Sequence, residues 1–470
     1  MCGAAAPRAR ARPAEQTTIT SIQYLIIMLL SLLVWCTAVL GAAVGRPSEE
    51  DILRKMFDRE TDARGTFVND GSAAAPFDDT APTCTMDATD RCAISEFDRD
   101  VSTLVRPGGN TRCIFERSGP YQFEVIRGDA DKLLVFFQGG GACWDVLSTA
   151  VAACSTGAFP QGTRGGVFER TAQNPFKNYT IVHLLYCDGS LFNGNVTRPY
   201  LGAKQSGFAN AKSGFDWIVE NMRSPGGLAP RLSSLVISGC SAGSIGAQLW
   251  ADHALTTLPH DAAAVVPDSY MGVFPTSAEG HLIEQYGMCT TPLLEPLPEL
   301  RAACAKKQLS LHALTAAVTA RHPKAVFGQV QSKTDEVQMG FNWALSADPL
   351  AHPGSLACGD PTTCWVDGAK LYGKANDYLE GYNIQPNHVH FLVQSSQHCY
   401  LPNGHFYDAD PSGASAGGRG GEPLHHWMAR LPLRPGTNIS TRCVGEAMAK
   451  GSWTGTHYCD AAMVGKVIVA

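Results

Sequence analysis

The sequence predicts an α/β domain: a doubly wound, mostly parallel sheet with helices on both faces. Two features carry this. Six short runs are apolar almost without interruption, at residues 133–137, 181–186, 232–237, 262–266, 325–330 and 388–393. A strand that is apolar at nearly every position is buried on both faces, as strands of parallel sheets are. Helix-like stretches, notably 208–222 and 245–258, lie between the runs. Strands alternating with helices build βαβ units, and in such sheets the reacting groups gather at the carboxyl ends of the strands.

Taken from the start of the chain, Arg8, Arg10 and Arg12 precede an apolar run at 22–44, about the length that spans a bilayer. Small residues Ala42, Ala43 and Gly45 follow, as at a signal-peptidase site. Residues 1–45 are therefore read as a signal peptide or a signal anchor. Either one sends the rest of the chain into the secretory pathway: outside the cell or in the cell wall, or held on a membrane with a lumenal catalytic domain. Residues 46–108 carry Asp, Glu, Gly, Ala and Pro without sustained periodicity and read as a stem or linker. Cys84 and Cys92 are candidates for tying that stem to the body. Residues 109–470 form the catalytic domain.

Composition narrows the function. Of 470 residues, 44% are hydrophobic and 17% charged, with a formal net charge of −6. This low charge and net negative balance argue against nucleic acid as a partner, because phosphate binding needs a basic face. Sixteen cysteines, fourteen of them between Cys84 and Cys459, form no tight C-x-x-C pair. They suit a disulfide framework in an oxidising compartment better than a zinc ribbon. Cys240 is read as a buried free thiol. The triplets at Asn178, Asn195 and Asn438 match the N-glycosylation acceptor pattern and agree with the secretory reading.

The chemistry centres on Gly239-Cys-Ser-Ala-Gly243, which follows the run at 232–237 and opens the helix-like stretch. A sharp strand-to-helix turn of this form lifts a serine Oγ above the sheet, which makes the fold α/β-hydrolase-like and Ser241 the candidate nucleophile. Upstream, Phe137-Gln-Gly-Gly-Gly-Ala-Cys-Trp144 ends another strand. Glycines let backbone N–H groups approach a substrate oxygen, so Gly140, Gly141 and Ala242 are the candidate oxyanion-hole donors. A phosphate cradle fits poorly, since no G-K-[ST] follows. A serine nucleophile requires a base and an orienting acid, in the chain order Ser, acid, His. Asp335 and His398 follow strand-like runs in that order. Asp268, Glu336 and Asp360 are rival acids, and His390 and His405 rival bases. His388 and His390 share one face of a strand and are half of a metal site, but no third or fourth ligand lies at a suitable spacing. No metal or organic cofactor is called for.

Together, the 137–144 motif, Tyr186-Cys-Asp-Gly189, Gly239-Cys-Ser-Ala-Gly243, Thr334-Asp-Glu-Val-Gln338 and Gln397-His-Cys399 resemble the pectin acetylesterase/Notum family of carboxylesterases. The likeness runs from about residue 109 to 410. It implies an α/β-hydrolase fold with Ser241, Asp335 and His398 as triad. It also implies hydrolysis of carboxylic esters, with acetyl groups on a polysaccharide such as pectin as the expected substrate. The alternatives are a fatty-acyl protein deacylase of the Notum type, or a non-catalytic binding protein on the same fold. Residues 299–324, 412–421 and the stem match nothing in the family. The acetyl expectation rests on small residues beside the site (Gly141, Ala142, Cys240), with Trp144 and Tyr200 as candidates to stack on a sugar. The membrane enters only through the N-terminal segment.

Overall fold

The structure, a computed structural model, describes residues 81–150, 152–275, 278–347, 368–382, 385–410 and 422–431, with the pairs 442–443 and 464–465. The apolar run at 22–44 and Asn438 lie outside these residues. Among the described residues no helix is long and apolar enough to cross a membrane.

The strands are β1 (Thr83–Thr85), β2 (Ser102–Arg106), β3 (Phe123–Ile126), β4 (Asp129–Phe137), β5 (Tyr179–Leu184), β6 (Val196–Thr197), β7 (Lys204–Gln205), β8 (Ser234–Cys240), β9 (Ala263–Asp268), β10 (Val326–Ser332) and β11 (His388–Val393). Nine of them form one sheet in the order β1-β2-β3-β5-β4-β8-β9-β10-β11, and β6 pairs with β7 apart from it. All neighbours in the large sheet are parallel except β2 with β3 and β3 with β5. The six apolar runs are the strands of its parallel part. β5, β8, β9, β10 and β11 are buried at every residue, as their largely apolar sequences anticipate.

Six helices matter below: α1 (Gly207–Arg223), α2 (Ala242–Thr257), α3 (Ala278–Gln285), α4 (Leu311–Arg321), α5 (Glu336–Ala347) and α6 (Gly368–Tyr382). α2 packs on β4, β8 and β9 and against α4. It is buried on nearly every side, so its apolar residues show almost no one-sided pattern.

Two expectations change. β1 and β2 lie within the segment read as a stem, so the sheet takes in residues well before 109. These strands are short and lie at one edge of the sheet, where alternation is too brief to register as a period. Cys84 and Cys92 bond to each other rather than to the body. That segment is held instead by the β1–β2 pairing and by Trp217 of α1, whose indole N–H donates to the Cys92 carbonyl at 2.9 Å.

Candidate active site

β8 runs straight into α2, and Ser241 sits at the turn with φ 58° and ψ −123°. A non-glycine residue held there carries of the order of 1–3 kcal/mol of backbone strain, sustained only if its surroundings fix it. The flanking glycines are required by packing. A Cβ on Gly239 would run into the carbonyl of Gly243, and one on Gly243 into that of Phe137 at the end of β4. The Ser241 N–H donates to the Asp268 carbonyl, 3.1 Å away at the end of β9.

The glycine loop after β4 is equally constrained. Gly140 and Gly141 have φ of 151° and 66°, conformations that side chains seldom adopt. The Gly140 carbonyl accepts from Ser155 N–H at 2.8 Å, and the Cys143–Cys154 disulfide closes the loop. Cys143 N–H donates to the Gly189 carbonyl at 2.9 Å, joining this loop to the Tyr186-Cys-Asp-Gly189 segment. Gly141 and Ala242 stand in the same cavity wall as Ser241, while Gly140 lies just outside that wall.

Asp335 and His398 come together. His398 Nδ1 lies 2.8 Å from Asp335 Oδ2 and 3.0 Å from Oδ1. Asp335 is fully buried and caps α5: its carboxylate accepts the Gln338 N–H and side-chain amide, both at 2.9 Å. The Asp-Glu-Val-Gln sequence is thus a capping arrangement, with the N-cap acid and the N3 amide bonded to each other.

Cys240 is not a free thiol. It is disulfide-bonded to Cys399, with Cα atoms 5.7 Å apart. One covalent link therefore joins the residue before Ser241 to the residue after His398. The expectation failed because the partner is 159 residues away, and pairing depends on spatial approach rather than spacing.

The rival residues fall elsewhere. Asp268 is completely buried and its carboxyl faces backbone N–H groups rather than His398 Nδ1. Burial pushes that carboxyl up to about 6 against the N–H donors that pull it down. Glu336 accepts from Ser396 Oγ at 3.0 Å, on the exposed side. Asp360 lies outside the described residues. His388 stacks on Tyr382 with ring centroids 4.4 Å apart, and His390 lies beyond it. His405 opens a short helix and meets the edge of Tyr400. Among the described residues the one cluster of ligand-type side chains is Cys84, Asp90 and Cys92, and its two sulfurs are already bonded to each other. His388 and His390 thus gather no further ligand there.

An apolar cavity opens at Ser241. Its walls are mostly aromatic and aliphatic, with Trp144, Ile245, Tyr270, Phe274, Tyr286 and Phe341 prominent. Trp144 is thus part of this wall, while Tyr200 packs with the cluster around the Cys143–Cys154 disulfide. A second, smaller cavity shares Leu191, Ile245, Phe274, Leu282 and Tyr286 with the first. The aromatic walls were missed in the sequence because they come from separate segments of the chain; of them only Trp144 lies within a motif. Glu279 of α3 borders the second cavity, buried and accepting the Leu311 N–H that opens α4. Burial pushes its carboxyl up to about 8. Asn178 and Asn195 are exposed, as a glycan acceptor requires.

Residues 110–336 match the family model described as pectinacetylesterase. Pectin acetylesterase 5 of Arabidopsis thaliana is 28% identical over 142 residues, which is 28% of this chain and 31% of that protein. Pectin acetylesterase 7 of the same plant is 29% identical over 161 residues, covering 32% of this chain and 40% of its own. The chain thus spans about a third to two fifths of the length of these relatives. Among solved structures, the Wnt deacylase Notum from Drosophila is 16% identical with a TM-score of 0.47, over 65% of this chain and 87% of that one.

Proposed function

We propose, from the match of residues 110–336 to the pectinacetylesterase family model, that the chain is a carboxylic ester hydrolase working through Ser241, His398 and Asp335. The observation that carries it is the His398–Asp335 pair at 2.8 Å, bound to the Ser241 elbow through Cys240–Cys399.

In this reading Ser241 Oγ attacks the acyl carbonyl while His398 Nε2 takes its proton. Asp335 holds the imidazole tautomer through Nδ1 and stabilises the imidazolium. The oxyanion develops against the N–H groups of Gly140, Gly141 and Ala242. His398 then protonates the leaving alcohol, and water repeats the cycle on the acyl-enzyme. No step calls on a metal or organic cofactor.

By analogy with the Arabidopsis relatives, the substrate is an acetylated polysaccharide such as pectin. A second reading is favoured by the cavity, whose walls are mostly aromatic and aliphatic and so suit an apolar acyl chain. Five disulfides among the described residues suit an oxidising compartment, in keeping with the secretory reading of residues 1–45 and with glycans on Asn178 and Asn195.

The test is Ser241→Ala. Turnover of p-nitrophenyl acetate and of acetylated pectin should fall by several orders of magnitude, and labelling by a fluorophosphonate should vanish, with the fold unchanged. A variant that keeps wild-type turnover excludes Ser241 as nucleophile. A wild-type protein that takes no label points instead to a non-catalytic binding protein.

A further inference from the structure

A triad is built from separate loops, and something must hold those loops in register. Here the elbow ends β8 and the histidine loop follows β11, with β9 and β10 between them in the sheet. Asp268 is the last residue of β9, directly opposite Cys240 in the pairing with β8 and opposite Val330 in the pairing with β10. Its main-chain oxygen accepts the Ser241 N–H at 3.1 Å. Its Oδ2 accepts two consecutive N–H groups just after His398, Tyr400 at 2.7 Å and Leu401 at 2.8 Å. Its Oδ1 accepts from Ser269 Oγ at 2.7 Å, and the Ser269 oxygen in turn accepts the Cys399 N–H at 2.8 Å. The Ser269 carbonyl accepts from the Gln338 side chain, which also donates to Asp335. Ser241, Ser269 and Cys399 all have positive φ, between 58° and 65°, so three strained residues meet at this one point.

We propose that Asp268 is a positioning residue that registers the nucleophile elbow against the histidine loop, clamping one through its backbone and the other through its carboxyl group. This rests on Ser241 and His398 being nucleophile and base. The disulfide beside it keeps the loops together, yet a single bond leaves rotation about itself. The three successive N–H groups of residues 399–401, received by one Asp-Ser pair, fix the direction in which the His398 backbone enters the site. Burying a carboxylate is costly, and a sheet end offers simpler ways to finish a strand. A fully buried acid here is explained by the amide groups it collects from the one loop that carries His398.

The experiment compares Asp268→Ala, Asp268→Asn and Ser269→Ala in the full chain, expressed with its disulfides formed. kcat and KM on p-nitrophenyl acetate, the rate of fluorophosphonate labelling and the thermal melt are measured together. A misplacement of about 1 Å lowers rate by about 100-fold, so Asp268→Ala should lose roughly that factor in kcat and in labelling rate, with KM little changed. Asn keeps an oxygen that accepts both the Tyr400 and Leu401 N–H groups, so Asp268→Asn should recover to within about tenfold of wild type. Should the Ala variant fail to fold, Ser269→Ala, which removes the acceptor of the Cys399 N–H alone, should lower kcat without raising KM. A folded Ala variant with wild-type kcat overturns the clamp, as does an Asn variant no better than Ala, or an unaffected kcat in Ser269→Ala. A wild-type protein that neither hydrolyses the ester nor takes the label removes the nucleophile assignment, and the clamp with it.

Discussion

Removing the Cys240–Cys399 bridge by Cys240→Ala with Cys399→Ala reopens a loop with a sequence separation of 159. Closing a loop of that length removes about 17 cal/mol/K of chain entropy from the unfolded state, or about 5 kcal/mol at 25 °C. A stable domain holds about 5–15 kcal/mol in total, so this one link supplies a large share. The Cys289–Cys304 bridge spans only 15 residues and is expected to contribute about 3 kcal/mol. Equilibrium unfolding in guanidinium, with the remaining disulfides verified by mass spectrometry, compares the two double variants directly. The Cys240/Cys399 variant should lose more stability than the Cys289/Cys304 variant. Its folded fraction should also turn over more slowly, because the His398 loop then depends on hydrogen bonds alone. Both Cys240 and Cys399 are fully buried, so a mild reductant should leave the native wild type active for as long as it stays folded. A Cys240/Cys399 variant within about 1 kcal/mol of wild type, or one less affected than Cys289/Cys304, refutes the loop-entropy reasoning.

Two further outcomes follow from the cavities. In a series of p-nitrophenyl esters from acetyl to octanoyl, an acyl pocket at Ser241 should raise kcat/KM by up to about fourfold per methylene, from about 0.8 kcal/mol each. A steady fall from acetyl onward would leave the acetyl reading standing alone. Glu279 is an acid whose folded pKa is raised, so its contribution to stability is fully present below its unfolded value near 4.5 and is lost as pH climbs through about 8. Glu279→Gln, whose amide oxygen can still accept the Leu311 N–H, should therefore match wild type at pH 5 and melt higher than wild type at pH 9. Equal melting of the two proteins at both pH values would show that Glu279 is not held in its neutral form.

Much of this was legible in the residues themselves. Largely apolar runs located the parallel strands, because strands buried on both faces carry few polar side chains. Gly239 and Gly243 around Ser241 marked the elbow, because close approach of two backbones there admits no Cβ. The Thr334-to-Gln338 motif carried the acid and its helix cap together, since a cap is a local arrangement spanning three residues.

Tertiary structure decided what depends on contacts between distant segments. Asp268 ends a strand and Asp335 follows one, both near the site. Only the packing of residues 399–401 onto β9, and of His398 against the start of α5, gives one carboxyl to backbone amides and the other to the imidazole. Cys240 looked like a solitary thiol because a disulfide is made by two Cα atoms coming within bonding reach, and its partner is 159 residues away. The small residues flanking Ser241 suggested a shallow site, yet Trp144, Tyr270, Phe274, Tyr286 and Phe341 converge on it from across the chain. A sequence records which side chains exist at a motif. The walls of a cavity are set by which other elements the sheet order brings beside it.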